Sequence, residues 1–198
     1  MKEIKDIFDK EAQAILNIPI TEVYRDVTEL MYDHVHIRKG KIITSGMGKA
    51  GQIALNIATT FSSTGTPSVF LHPSEAQHGD LGVIQENDVL LVVSNSGKTR
   101  EIIELLNLTE DLYPGIPVVV ITGNPESDLS ARANFVLYTG SPDEVCILGL
   151  TPTTSTTVMT VMGDALVVMM ESRIGFTKND YARRHHGGYL GHKSRGIT

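Results

Sequence analysis

Cystine, long apolar runs and an excess of basic charge are all absent from this 198-residue chain, and each absence removes a class of protein. The single cysteine, Cys146, has no partner for an internal disulfide, so a disulfide framework is excluded and a reducing compartment, the cytoplasm, is expected. The longest apolar stretch, Val158 to Met170, is broken by Gly163 and Asp164 and falls short of the ~20 residues that span a bilayer. It reads as a buried helix, and no membrane partner is expected. The opening MKEIKDIFDKEAQ is charged and helical in pattern, unlike a secretory leader. Lys and Arg number 17 against 23 Asp and Glu, a formal charge of −6 that disfavours wrapping a polyanion, so nucleic acid is not an expected partner.

What is present is an ordinary globular composition, 41% hydrophobic and 20% charged, in a length that suits one core. A single domain is expected over 1–198, with N-terminal helices over 1–38, an α/β core over 39–175 and a C-terminal segment over 176–198. Ile4, Ile7, Phe8, Ala12, Ile15 and Leu16 recur at helical spacing, and Val23, Val27, Leu30 and Met31 repeat the pattern. Short β-branched runs follow at Lys41–Thr44, Ser68–Leu71, Asp88–Val93, Pro117–Ile121 and Asn134–Tyr138. Helical patterns at about 49–63, 100–112, 126–132 and 155–173 alternate with them. This alternation predicts an α/β fold, a doubly wound five-stranded parallel sheet with helices on both faces. Ligands of such folds sit beyond the carboxyl ends of the strands, in the loops after Thr44, Leu71, Val93, Ile121 and Tyr138.

Two of those loops imitate nucleotide sites. Gly46-Met47-Gly48-Lys49-Ala50-Gly51 satisfies G-x-G-x-x-G, yet the next strand ends Leu71-His72-Pro73 where a dinucleotide site needs an acid for the ribose. Gly97-Lys98-Thr99 imitates the tail of a Walker A loop, but its leading glycine would fall at Val92. Both loops keep the useful physics, backbone N–H groups at a helix N-terminus. One hydroxyl would explain a helix cap; Ser94, Ser96 and Thr99 around Asn95 and Gly97 exceed that need and point to a phosphomonoester.

His72, Glu75, His78 and Asp80 crowd the loop after the second strand, but Pro73 and Gly79 prevent a long helix that would align them on a metal. No metal is expected there; the residues read as a cleft lining. Glu144 enters the apolar Val145-Cys146-Ile147-Leu148, where a carboxyl with a raised pKa would suit proton abstraction. The threonine-rich run over 151–157 reads as a helix cap, and Met162, Met169 and Met170 as core. Arg183-Arg184-His185-His186-Gly187-Gly188 suggests a backbone that approaches something closely, and the basic residues Arg183, Arg184, Lys193 and Arg195 suit either a solvated tail or a small anion. His34 and His36 are expected at the surface or at an interface.

The segments SGMGKAG, FSSTGTPSVFLHPSEAQHGDLGVI, SNSGKTREI, ITGNPES, DEVCILGLTPTTSTTVMTVMGDAL and GFTKNDYARRHHGGYLG resemble the sugar isomerase (SIS) family, and within it the D-arabinose-5-phosphate isomerases that begin Kdo synthesis. The resemblance covers about residues 40–192. It implies that Ser94, Ser96 and Thr99 hold a phosphate, that Lys49, Glu101, Glu144 and His185 are catalytic, and that His78 is the family's histidine in HGDLG. Ser45, Gly46, Gly48 and Asn95 join the expected substrate-binding set. His186 stands where the family usually has proline, so both imidazoles are candidates to face the substrate. Many relatives continue into paired CBS domains; a short form is the expectation here, regulated through its active site or a subunit interface by a downstream sugar of the pathway.

The implied chemistry is aldose–ketose isomerisation through an enediol, with no cofactor and no metal required. The resemblance implies a cytoplasmic homotetramer with sites shared between subunits, serving lipopolysaccharide or capsule. The alternatives are a phosphosugar-sensing module, which would need neither Glu144 nor His185, and an isomerase of another sugar such as sedoheptulose 7-phosphate.

Overall fold

In the computed structural model, which describes residues 2–195, the chain opens with α1 (Lys2–Leu16) and α2 (Val23–Met31), and α2 runs on into a π-helical turn over Tyr32–Ile37. Strands and helices then alternate through β1 (Ile42–Gly46), α3 (Gly48–Ser63), β2 (Ser68–Phe70), α4 (Pro73–Ala76), β3 (Val89–Val93), α5 (Arg100–Leu112), β4 (Val118–Thr122), α6 (Asp128–Ala131) and β5 (Phe135–Tyr138). The long helix α7 (Thr154–Ile174) leads to two short ones, α8 (Lys178–Arg184) and α9 (Gly188–Ser194). Each β-branched run of the sequence is a strand, with its ends moved by a residue or two.

All pairings are parallel, in the order β2-β1-β3-β4-β5. The chain steps from β1 outward to β2, then back past β1 to β3, so the direction of winding reverses between β1 and β3. Their carboxyl ends therefore part and leave a crevice.

The sheet is covered on both faces, which explains why β3 is apolar at every position rather than at alternate ones. In β3, Val89, Leu91 and Val93 join the core made with α2, α3 and α7, while Leu90 and Val92 join the core made with α5 and α6. Each aliphatic side chain so buried stabilises the fold by ~1.5–3 kcal/mol. The glycine that interrupts the long apolar stretch has a packing cause: a Cβ on Gly163 would stand 2.5 Å from Ile57 Cγ1, so α3 and α7 meet there side by side. Asp164, the other interruption, faces outward. As the sequence implied, α7 is a packed helix, and among the described residues no helix is long and apolar enough to cross a membrane.

Two features mark the N-terminal region. None of the α1 side chains is fully buried, and Ile4 and Phe8 remain 50% and 67% exposed. His34 and His36 are partly buried: Nδ1 of His34 lies 3.1 Å from the Asn87 carbonyl and Nε2 of His36 lies 3.1 Å from the Thr66 hydroxyl. Burial, then the nearby Lys39 charge, lowers the pKa of His36. These histidines tie the π turn to the amino-terminal edge of the sheet.

Candidate active site

At the end of β1, the backbone of Gly46 and that of Gly51 in α3 are in mutual contact, since a Cβ on Gly51 would lie 2.6 Å from the Gly46 carbonyl oxygen. The glycine pattern that imitates a dinucleotide loop thus serves close packing of strand on helix. Gly48 begins α3 at φ +59, a left-handed conformation that suits glycine. Lys49, in the first turn, is exposed and has no hydrogen bond or ion pair among the described residues. Ser45 is placed differently from the rest of its loop: it is fully buried, and its hydroxyl donates to the Leu71 carbonyl at 2.7 Å.

Across the crevice, β1 and β3 run in register to Gly46 opposite Val93, which brings the Ser94–Thr99 loop beside the β1 loop. Thr99 is the N-cap residue of α5 but makes no side-chain capping bond. Its hydroxyl instead shares a proton with that of Ser94 at 3.0 Å, so the pair retains one hydroxyl proton to give elsewhere. Ser96 accepts the Lys98 N–H at 3.2 Å, which leaves its own proton to donate. The α5 N-terminus therefore offers backbone N–H groups, the positive end of a helix dipole and hydroxyl donors in one place, the requirements of a phosphate site. Asn95 is exposed at the tip, and Glu101, partly buried, follows in the first turn of α5.

The loop after β4 braces this one, a role that sequence reasoning had not assigned. Asn124 donates its side-chain amide to the Ser96 carbonyl at 3.1 Å, and Thr122 donates its hydroxyl to the Asn95 carbonyl at 3.3 Å. The Gly123 N–H adds a third bond, to the same Asn95 oxygen, at 3.1 Å. Gly97, at φ +63, packs so closely that a Cβ would stand 2.0 Å from Ser127 Oγ. The Gly-Asn-Pro turn at 123–125 was the available signal.

Glu144 lies on the loop between β5 and α7, and its carboxylate covers the α7 N-terminus. Oε2 accepts the Thr153 N–H at 2.7 Å, the Thr153 hydroxyl at 2.9 Å and the Ser155 N–H at 3.3 Å; Oε1 accepts the Ser155 hydroxyl. Burial is the largest influence on this carboxyl and would raise its pKa, but the donors, with the Ser155 hydroxyl first among them, together outweigh it and hold it below the usual glutamate value. The raised pKa expected from the apolar neighbours is therefore corrected, because Ile147, Leu148 and Leu150 turn out to solvent while Thr153 and Ser155 donate to Glu144. The helix cap expected of the threonine-rich run is corrected too: Thr153, the N-cap residue of α7, makes no side-chain capping bond, and the Glu144 carboxylate accepts the Thr153 and Ser155 N–H groups in its place.

His185 ends α8, stacked on Tyr181 with ring centroids 3.7 Å apart, and its Nδ1 lies 3.0 Å from the Tyr181 carbonyl. Arg184, just before it, reaches the far end of α3, where a Cβ on Gly65 would lie 3.4 Å from its Nη2. The 16 residues of α3 span roughly 24 Å, so within one chain His185 and Lys49 stand near opposite ends of that helix. His186 is exposed. His78, also exposed, lies at the carboxyl edge of the sheet just after Gln77, which donates to Glu104 of α5 at 2.9 Å. His72 keeps a buried Nδ1 without a partner, and among the described residues no three His, Cys, Asp or Glu side chains come together as a metal site.

Three comparisons bear on this arrangement. The sequence profile of the SIS domain matches residues 37–169. The arabinose 5-phosphate isomerase KdsD of Shigella flexneri is 49% identical over 155 residues, 78% of this chain and 47% of that protein. The chain spans about half the length of the curated relatives it matches. A Bacteroides fragilis NCTC 9343 protein, described as a candidate phosphosugar isomerase involved in capsule formation, has a TM-score of 0.94 at 63% identity, with 95% of this chain and 98% of that one covered. An E. coli CFT073 protein in complex with arabinose 5-phosphate has a TM-score of 0.85 at 34% identity, with 92% of this chain and 95% of that one covered.

Proposed function

The chain belongs to the SIS-domain family, and from that footing we propose that it is an aldose–ketose isomerase interconverting D-ribulose 5-phosphate and D-arabinose 5-phosphate. The observation that carries the reading is the β1/β3 crevice, where an α5 N-terminus without a side-chain cap and the hydroxyls of Ser94, Ser96 and Thr99 adjoin the loop that bears Lys49. A relative that holds arabinose 5-phosphate and relatives named arabinose 5-phosphate isomerase support the sugar's identity.

In this reading the phosphate binds Ser94, Ser96, Thr99 and the first N–H groups of α5, with Asn95, Gly46 and Gly48 beside it and His78 at the rim. Glu144 takes the proton from C2 of the open-chain aldose, the electron pair forms the C1–C2 double bond, and negative charge passes to O1. Transfer of the O2 hydroxyl proton to O1 and return of the carbon proton to C1, as C2=O forms and the C1–C2 double bond is lost, give the ketose. Ionised at neutral pH, Glu144 is ready to accept; Oε1, with one hydrogen bond against three on Oε2, is the oxygen with room. Lys49 stabilises the enediolate, Glu101 orients Lys49 or shares proton transfer, and His185 or His186 opens the ring or relays the hydroxyl proton.

The separation of His185 from Lys49 along α3 supports a homo-oligomer, a tetramer in this proposal, in which a neighbour's C-terminal segment completes each site. A fully active monomer would contradict that. Residues 1–198 act as one catalytic unit in the cytoplasm, and the product feeds Kdo synthesis for lipopolysaccharide or capsule.

The deciding experiment incubates the protein with D-arabinose 5-phosphate in D2O and follows C2 by NMR. D-ribulose 5-phosphate formation, with deuterium at C2 of recovered aldose, supports the isomerase. Binding without exchange or turnover would replace it with the phosphosugar sensor, and turnover of sedoheptulose 7-phosphate alone would change the substrate.

A further inference from the structure

Glu11, on α1, is a partly buried carboxyl that the proposed mechanism leaves unused. Its Oε1 accepts the hydroxyl of Thr154 at 3.1 Å, a contact between residues 143 apart in sequence. Its Oε2 is shielded from water and has no hydrogen-bond partner among the described residues. Thr154 is 1% exposed, and its Oγ1 also accepts the N–H of Val145 at 3.2 Å. Val145 directly follows Glu144, whose carboxylate is held by the residues on either side of Thr154, namely Thr153 and Ser155. Glu11 thus orients a side chain that fastens the Val145 backbone, next to Glu144, to α7.

Burying a carboxylate oxygen without a donor is destabilising, and α1 has no fully buried residue with which to offset it. A hydrophobic contact would hold α1 to α7 without that cost. A carboxylate does something a methyl cannot, because it accepts the Thr154 proton and so turns the threonine oxygen's lone pair toward Val145.

We propose that Glu11 is a positioning residue for the isomerisation, which acts through Thr154 to fix the segment that carries Glu144; the inference rests on the isomerase reading for its catalytic part. Its loss should slow the chemical step and leave phosphate binding intact, since the Ser94–Thr99 loop shares none of these bonds.

The test compares the full-length parent with E11A, E11Q and T154V for kcat, KM and thermal midpoint, and for amide hydrogen exchange over residues 142–155. In E11A, kcat should fall about 10–100-fold with KM within about twofold, as for a small displacement of a reacting group. Exchange should quicken over 142–155 only. E11Q, which keeps an acceptor for Thr154, should recover kcat to within about threefold of the parent. T154V should resemble E11A, and the E11A/T154V double variant should be no slower than the worse single one. Unchanged kcat in E11A with unchanged loop exchange overturns the proposal, as does exchange that quickens evenly along the chain with kcat per folded molecule preserved. A parent without turnover removes the isomerase reading; the exchange data then decide the brace alone, local quickening supporting it and none removing it.

Discussion

Two helix N-termini face the carboxyl side of the sheet, and the chain treats them in opposite ways. At α5 the N-cap threonine leaves the helix uncapped by its side chain and shares its hydroxyl proton with Ser94. At α7 the positive end is occupied by the chain's own anion, Glu144, with backbone and hydroxyl donors of Thr153 and Ser155 directed at it. An N–H group can serve an external anion only while no internal carboxylate holds it. The first end is thus left open to an anion, and the second uses the same physics to hold a carboxylate ionised and in place; in the proposed isomerase these are the phosphate site and the base.

The largest break in this contrast is Glu144→Gln, which puts a neutral amide at the α7 N-terminus. Turnover should fall about 10²–10⁴-fold while affinity for arabinose 5-phosphate changes little, as read by NMR kinetics and titration calorimetry. Retained turnover would remove Glu144 from the role of base. Gly97→Ala disturbs the other end: the new Cβ meets Ser127 Oγ at φ +63, so about 1–3 kcal/mol of strain should appear as a lower unfolding midpoint and a KM raised about 10-fold or more. A milder probe is Thr99→Val, which removes a hydroxyl from the proposed phosphate site. KM should rise about tenfold with kcat within about twofold, and a change in kcat alone would place Thr99 outside the phosphate site.

The smallest effect is on acid stability. The folded pKa of Glu144 lies below the unfolded value of about 4.3, so its contribution is complete above that value and fades as pH falls through the lower folded one. Compared by chemical denaturation, the parent and Glu144→Gln should differ most near neutrality and converge at acid pH. A constant difference across that window would show that the carboxylate's charge plays no part in holding α7.

Much of this was legible in the chain. The alternation of β-branched runs with helical patterns located the strands, because burial of both sheet faces leaves few polar positions inside them. Counting hydroxyls after a strand set Ser94, Ser96 and Thr99 apart from ordinary caps, and Thr99 indeed makes no side-chain capping bond. The carboxyl of Glu144 was misjudged in its pKa because the reading weighed the apolar residues next to it in sequence, whereas the side chains that touch it lie nine and eleven positions later, across the turn into α7. The brace at Asn124 escaped notice because its partner, Ser96, is 28 residues away.

The sequence by itself determined the elements, their alternation and the loops that end at the crevice, since hydropathy period, turn residues and helix caps act within a few positions of the chain. Only the tertiary structure decided which helix end stays open, which is filled, how Glu11 reaches Thr154 and why His185 stands far from Lys49. Those facts depend on where packed helices meet, and the packing of α1 and α3 against α7 brings together residues that no local rule connects.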